Sequence, residues 1–230
     1  MRMPFFIDLS NKKILIIGGG REGAKRAEKY SKTGAKVVVY SRSFDGKILE
    51  LSSSGSVELV EGDVADEEKL EELIKSSDIL MVTLESDEYN ERIQEIAKKY
   101  RVLVNLANDA EKTELVVPID SSIGPFRIAV TTEGKSSMVA REALHKIIDY
   151  LSREEELMRL AELMYNVKKI VRRSVSDPNE RLKIYYEVFN NNDLRAALRT
   201  NDPFNVKEVL NNILRKHGLE IEEIGEHEEA

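Results

Sequence analysis

Cysteine is absent from this chain of 230 residues, and histidine occurs only three times. Without cysteine there is no disulfide, no thiolate nucleophile, and no Cys-ligated zinc or iron-sulfur cluster. His145, His217 and His227 lie far apart and lack the short spacing of ligand pairs, so no dedicated metal site is expected. Basic charge is in deficit: the net charge is -7, which argues against a dedicated nucleic-acid binder while leaving room for local basic patches. Long apolar runs are missing too. The segment Met1 to Leu9 carries one basic residue and a short apolar run broken by Asp8, too short for a signal-peptide core or a membrane span. A cytoplasmic protein with no membrane partner is the expectation. No internal repeat or low-complexity stretch interrupts the chain.

What is present is a rhythm. Ile14 to Ile17, Val37 to Tyr40, Val57 to Gly62, Ile79 to Thr83 and Val102 to Leu106 read as apolar or β-branched strands. Between them, Ala24 to Tyr30, Asp66 to Ile74 and Asn90 to Tyr100 have helical spacing, the second with acidic residues at its start as the helix dipole favours. Alternation of this kind predicts βαβ units in an α/β, doubly wound parallel sheet of Rossmann type, with ligands outside the carboxyl ends of the strands. The pattern then changes. Glu114 to Ile119 and Phe126 to Thr132 read as two strands joined by a turn at Ser121 to Pro125, and Ser137 to Leu151 as a helix. Beyond Ser152 only helices are predicted: Glu154 to Arg173, Pro178 to Asn190, Asp193 to Arg199 and Val206 to His217, with Asp177-Pro178 and Asp202-Pro203 as start signals. The acidic tail Glu220 to Ala230 is expected to fray. Three parts follow: a dinucleotide-binding domain over 1-112, a small α+β segment over 113-150, and an all-helical domain over 151-230.

The densest signal is Gly18-Gly19-Gly20-Arg21-Glu22-Gly23, a G-x-G-x-x-G placed between an apolar strand and an amphipathic helix. Gly18 suits the tight turn, Gly20 the approach of a pyrophosphate, and Gly23 close packing of helix on strand. The helix N-terminus offers N-H groups and partial positive charge to the phosphates. An acidic residue for the ribose should lie about 20 residues past the first glycine; there the chain has Tyr40-Ser41-Arg42-Ser43, with Asp45 slightly later. Ser41 and Arg42 suit a 2'-phosphate, and equally a solvated loop. Thr83 and Asn105 fall at strand ends facing the same crevice.

Two further clusters carry possible chemistry. Asn105-Leu106-Ala107-Asn108-Asp109 follows the fifth strand, where Asp109 is either a base that takes a proton as hydride leaves or a turn-capping residue. Thr131-Thr132-Glu133-Gly134-Lys135-Ser136-Ser137 either binds an anion at the start of its helix or only caps it.

Pro4-Phe5-Phe6, Gly18-Gly19-Gly20, Tyr89-Asn90-Glu91-Arg92-Ile93, Asn105 with Pro118 thirteen residues on, and Thr131-Thr132-x-Gly134-x-Ser136 follow one another in order and spacing. Together they resemble the precorrin-2 dehydrogenase family, which includes the dehydrogenase/ferrochelatase module of siroheme synthase. The resemblance covers about residues 3 to 150 by motif and the helical remainder by architecture. It implies NAD-dependent oxidation of precorrin-2 to sirohydrochlorin in siroheme biosynthesis, by a homodimer whose dimerisation segment would be 113-150. It also favours NAD over NADP, because the family uses NAD without an acidic ribose partner. Some members insert ferrous iron, and these carry a catalytic aspartate where the alignment puts Asn108. An amide is no base near neutral pH, so iron insertion is not expected here, and Asp109 or positioning alone has to serve the oxidation. The anionic tetrapyrrole would need local basic groups, for which Arg21, Lys25, Lys135 and Arg141, with Lys168, Lys169, Arg172 and Arg173, are candidates beside the hydroxyl of Ser136. Each is otherwise ordinary surface charge. The alternatives are an NAD(H)-binding redox-sensing module without turnover, and a different NAD(P)-dependent oxidoreductase; the lack of a second α/β domain disfavours the latter.

Overall fold

The computed structural model describes residues 2-219 and divides into two compact units. The first comprises residues up to 118 together with 131-137; the second comprises 119-130 and the residues from 138 on. The acidic tail and His227 lie outside the described residues.

In the first unit five strands, β1 (Lys13–Ile17), β2 (Lys36–Ser41), β3 (Glu58–Glu61), β4 (Ile79–Val82) and β5 (Leu103–Leu106), form one sheet in the order β3-β2-β1-β4-β5. All its pairings are parallel, with Leu15 level with Val38 on one side and Leu80 on the other. Central strands covered on both faces should be apolar throughout, and Ile14 to Ile17 and Ile79 to Val82 are buried without exception. Alternate side chains serve opposite faces. Ile14, Ile16, Val37, Val39 and Met81 pack with Ala24, Ala27 and Tyr30 of α1 (Arg21–Ser31) and with Ile48 of α2 (Gly46–Ser53). Leu15, Ile17, Val38, Tyr40, Leu80 and Val82 pack with apolar residues of α3 (Glu67–Lys75) and α4 (Asp87–Tyr100). The Rossmann topology that the strand-helix rhythm predicts is therefore present. Its switch point falls between β1 and β4.

Helix α2 has no counterpart in the sequence reading. Its signal is short and local: Asp45 accepts a hydrogen bond from the Lys47 N-H at 2.9 Å and so caps the helix. The acidic residue nearest the expected ribose position is thereby committed to the backbone.

The second unit begins with a hairpin of β6 (Ile119–Ile123) and β7 (Phe126–Val130), antiparallel and joined at Gly124-Pro125. The first strand thus lies later than the expected Glu114 to Ile119, and the turn is shorter. Pro118 has no N-H to give a ladder. Leu115 and Val117, whose alternation suggested a strand, instead pack against the core of the first unit, where the Leu115 N-H donates to the Val104 carbonyl at 2.8 Å. Five helices follow: α5 (Ser137–Leu151), α6 (Glu155–Ser174), α7 (Pro178–Asn190), α8 (Asn192–Thr200) and α9 (Pro203–Arg215). Leu160, Leu163, Val167 and Val171 of α6 recur at helical spacing and meet Ile184, Val188, Leu194, Leu198, Leu210 and Leu214 in a separate core. Asp177 and Asp202, each followed by proline at the first helical position, cap α7 and α9. Among the described residues no helix is long and apolar enough to cross a membrane.

Candidate dinucleotide site

At the end of β1 the chain turns at Gly18 with φ 107°, a conformation that disfavours any side chain. A Cβ on Gly18 would come within 3 Å of the Thr83 hydroxyl, and one on Gly23 within 3 Å of the Gly18 carbonyl oxygen. Both glycines are thus demanded by the fold of the turn itself. Gly20 differs. A Cβ there would meet no protein atom within 4 Å, so the fold leaves this side of the turn open. Gly20 is also the N-cap of α1 and offers no side-chain cap, which leaves first-turn N-H groups available to a ligand. An anionic pyrophosphate fits this combination of open space, backbone donors and dipole. Arg21 and Glu22 are exposed in the same turn, with Glu22 paired to Lys25 at 2.5 Å.

Neighbouring strand ends are tied to this turn. Thr83 donates from its N-H to the Ile17 carbonyl at 2.9 Å and from its hydroxyl to the same oxygen at 3.0 Å. The Gly18 N-H donates to the Tyr40 carbonyl at 3.0 Å. Ser41, half-buried at the end of β2, lies against Gly19. Arg42 is largely exposed and 3.5 Å from Asp63. The Tyr40 hydroxyl donates to the Asp63 carbonyl at 2.6 Å, and burial, with Asp66 and Asp63 nearby, pushes its phenol above the ordinary value.

Beyond β5, Asn108 donates from Nδ2 to the Leu84 carbonyl at 3.1 Å, joining the ends of β4 and β5. Asp109 accepts the Glu111 and Lys112 N-H groups on Oδ1 at 3.1 and 2.9 Å, as a turn-capping residue does. Its Oδ2 takes no hydrogen bond among the described residues. Asn105 donates to the Leu115 carbonyl at 2.7 Å, while its Oδ1 is buried and unpartnered. Its amide therefore pins the segment after β5 to the sheet. The link Thr131 to Ser137 lies against this loop, since a Cβ on Gly134, at φ 92°, would collide with Ala110. The Thr132 hydroxyl accepts the Ser136 N-H at 2.8 Å and donates to the Ser136 carbonyl at 3.0 Å, while Lys135 is exposed. Arg141 is exposed on α5 of the other unit.

Two residues that hold this site together carry no motif. Arg2 donates through Nη2 to the Ala110 and Thr113 carbonyls at 2.8 and 2.7 Å and sits 3.7 Å from Glu133, bridging the Asp109 loop to the link. Thr113 is buried, with its hydroxyl accepting the Leu106 N-H at 2.8 Å. A lone arginine near the N-terminus and a threonine in a polar stretch give no spacing by which to find them. Among the described residues no group of three or more histidine, aspartate or glutamate side chains is placed to hold a metal ion.

A parallel β3-β2-β1-β4-β5 sheet with a glycine turn at its switch point defines a Rossmann-type dinucleotide-binding protein. The family model described as "Putative NAD(P)-binding" matches residues 5-119, and the chain belongs to that family. Relatives bear the names the ordered motifs suggest. A "Putative precorrin-2 dehydrogenase" of Methanocaldococcus jannaschii is 26% identical over 200 residues, covering 86% of this chain and 94% of the relative. A "Precorrin-2 dehydrogenase" of Methanosarcina barkeri is 28% identical over 189 residues, covering 81% and 82%. "Siroheme synthase 2" of Serratia proteamaculans is 25% identical over 87% of this chain, which spans only 41% of that longer protein. Among solved structures, "SirC, precorrin-2 dehydrogenase" superposes with a TM-score of 0.67 at 17% identity, covering 93% of this chain and all of that one, and supports the same fold.

Proposed function

We propose that this chain is an NAD-dependent precorrin-2 dehydrogenase that forms sirohydrochlorin. The observation that carries the reading is the open, uncapped turn at Gly20 at the same carboxyl end of the parallel sheet as the Asn108-Asp109 loop, in a chain whose relatives of similar length are named for that activity. Bound NAD+ supplies a hydride acceptor. The backbone of Gly18 to Gly23 and the dipole of α1 hold the pyrophosphate, Ser41 and Arg42 flank the adenosine ribose, and Thr83 and Asn105 wall the nicotinamide end. Removing two hydrogens as a hydride and a proton requires an acceptor for the proton. Asp109 has one carboxylate oxygen fixed by backbone donors and the other available, and serves as that base. Asn108 cannot take a proton and acts by bracing the loop on Leu84. Ferrous iron, as a second substrate, is therefore inserted weakly or not at all. Lys135 and Ser136 in the first unit are candidates to meet carboxylates of the tetrapyrrole, as is Arg141 in the second, each taken by itself.

In this reading residues 1-112 bind the cofactor, 113-150 form a homodimer interface, and 151-230 complete a cytoplasmic enzyme. Dimerisation is supported by exposed Met138, Val139 and Tyr150 on α5 and by a two-stranded sheet, which is marginal without a partner layer. The test is anaerobic incubation with precorrin-2 and either NAD or NADP, followed by absorbance. NAD-driven appearance of sirohydrochlorin supports the proposal, whereas nucleotide binding without turnover identifies a sensor.

A further inference from the structure

We infer that the end of α7 and the start of α8 form a binding site for a small carboxylate, a function independent of the dinucleotide reading. A cavity of about 410 Å³ there is lined by Phe189, Asn190, Asn192, Arg195 and Arg199. Arg195 and Arg199 are one turn apart on α8 and converge on a single carboxylate: Glu156 accepts Arg195 Nη1 at 2.8 Å and Arg199 Nε at 2.5 Å. Arg195 is further fixed by donation from Nε to the Phe189 carbonyl at 3.2 Å and by stacking 4.8 Å from the Phe189 ring centre.

Two guanidiniums on one carboxylate leave a surplus of one positive charge. They also leave donors unused. Among the described residues Arg195 Nη2, Arg199 Nη1 and Nη2, and the side-chain amides of Asn190 and Asn192 make no hydrogen bond, and no acidic side chain lines the cavity. Asp193, next in sequence to Asn192, is not among the lining residues. Asn190, Asn192 and Arg199 are exposed, so their remaining donors face solvent and are open to an incoming anion, beside an Arg195 that is held in place. A guanidinium fork matches the two oxygens of a carboxylate, a surplus of one charge matches a monoanionic group better than a phosphate dianion, and the Phe189 ring can flank a methylene arm. The volume suits a small dicarboxylate or one carboxylate arm of a larger molecule.

The test is titration of the full-length, ¹⁵N-labelled protein at low ionic strength, following the Arg195 and Arg199 Nε-H signals and the Asn190 and Asn192 side-chain amides. Succinate probes the free small ligand, a porphyrin octacarboxylate probes an arm of a larger one, and phosphate and chloride serve as controls. Saturable shifts with succinate or the porphyrin are expected, weakened about tenfold in Arg199→Gln through loss of a charge-assisted bond. Glu156→Gln removes the competing carboxylate and should tighten binding several-fold. If that variant fails to fold, Arg199→Gln still decides. Shifts that follow ionic strength alone, are unchanged in Arg199→Gln, or saturate more tightly with phosphate would overturn the proposal, as would silence with both carboxylates.

Discussion

Gly20 and Gly23 stand three residues apart in one turn, yet the structure predicts opposite consequences for adding a single methyl group to each. Gly20 has φ -80° and ψ -167°, values alanine adopts without strain, and its added Cβ would touch no protein atom. Alanine is a poorer N-cap than glycine but lowers the entropy of the unfolded chain, so Gly20→Ala should change stability by no more than about 0.5 kcal/mol. Its Cβ would stand where the pyrophosphate approaches. Loss of one charge-assisted backbone bond, about 1.5–3 kcal/mol, weakens NAD binding roughly ten- to a hundred-fold. Gly23→Ala drives a Cβ into the Gly18 carbonyl, which cannot swing aside because Gly18 and Thr83 are bonded to strand ends. Overpacking of that kind costs about 1–3 kcal/mol, which at a urea dependence of about 2 kcal/mol per molar lowers the midpoint by roughly 0.5–1.5 M. Urea unfolding by circular dichroism and NAD titration by calorimetry read the two effects separately. Wild-type NAD affinity in Gly20→Ala would refute the phosphate assignment, and a wild-type midpoint in Gly23→Ala would refute the packing argument.

Asp109→Ala should slow dehydrogenation at saturating substrate by about 10²-fold or more, the usual scale for loss of a general base; wild-type turnover would return Asp109 to capping alone. Arg2→Ala should lower turnover with little change in NAD affinity, because it loosens the Asp109 loop and leaves the glycine turn intact; Arg2→Lys, which cannot reach two carbonyls and Glu133 together, should restore only part, as steady-state kinetics will read. Bonds from Arg195 and Arg199 hold the Glu156 carboxyl below the ordinary carboxylate value. Its stabilising effect is therefore complete above that value, about 4.3, and is lost as the pH falls through the depressed one. The stability gap between wild type and Glu156→Gln, from urea midpoints, should be level from pH 5 to 7 and shrink below about pH 4. With Asn108 in place, sirohydrochlorin and ferrous iron should yield siroheme no faster than the uncatalysed reaction; brisk formation in the absorbance assay would contradict the role given to Asn108.

The Rossmann core was legible because its central strands are buried on both faces, so their residues form continuous apolar runs such as Ile14 to Ile17, separated by amphipathic helices. The glycine turn was legible because two positions of G-x-G-x-x-G, Gly18 and Gly23, answer steric demands of the fold that only glycine meets, and the third, Gly20, leaves space for a ligand. The hairpin begins later than the sequence predicts because Leu115 and Val117 alternate like a strand while packing on the first unit's core, a tertiary contact that periodicity does not encode. Helix α2 leaves little trace in the sequence because it spans only eight residues, buries Ile48 alone, and is announced by a single cap, Asp45. Arg2 and Thr113 act on backbone carbonyls and amides, which leave no side-chain signature at the receiving end, and so were invisible. In the same way, the Glu156, Arg195 and Arg199 triad joins residues distant in sequence on α6 and α8.

The central claim is that this Rossmann turn and the Asp109 loop together oxidise a tetrapyrrole, and it is tested most directly by anaerobic single-turnover stoichiometry with precorrin-2 and NAD. The account predicts one NADH formed for each sirohydrochlorin, with both lost in Gly20→Asp. Saturable NAD binding with neither NADH nor sirohydrochlorin produced would contradict it.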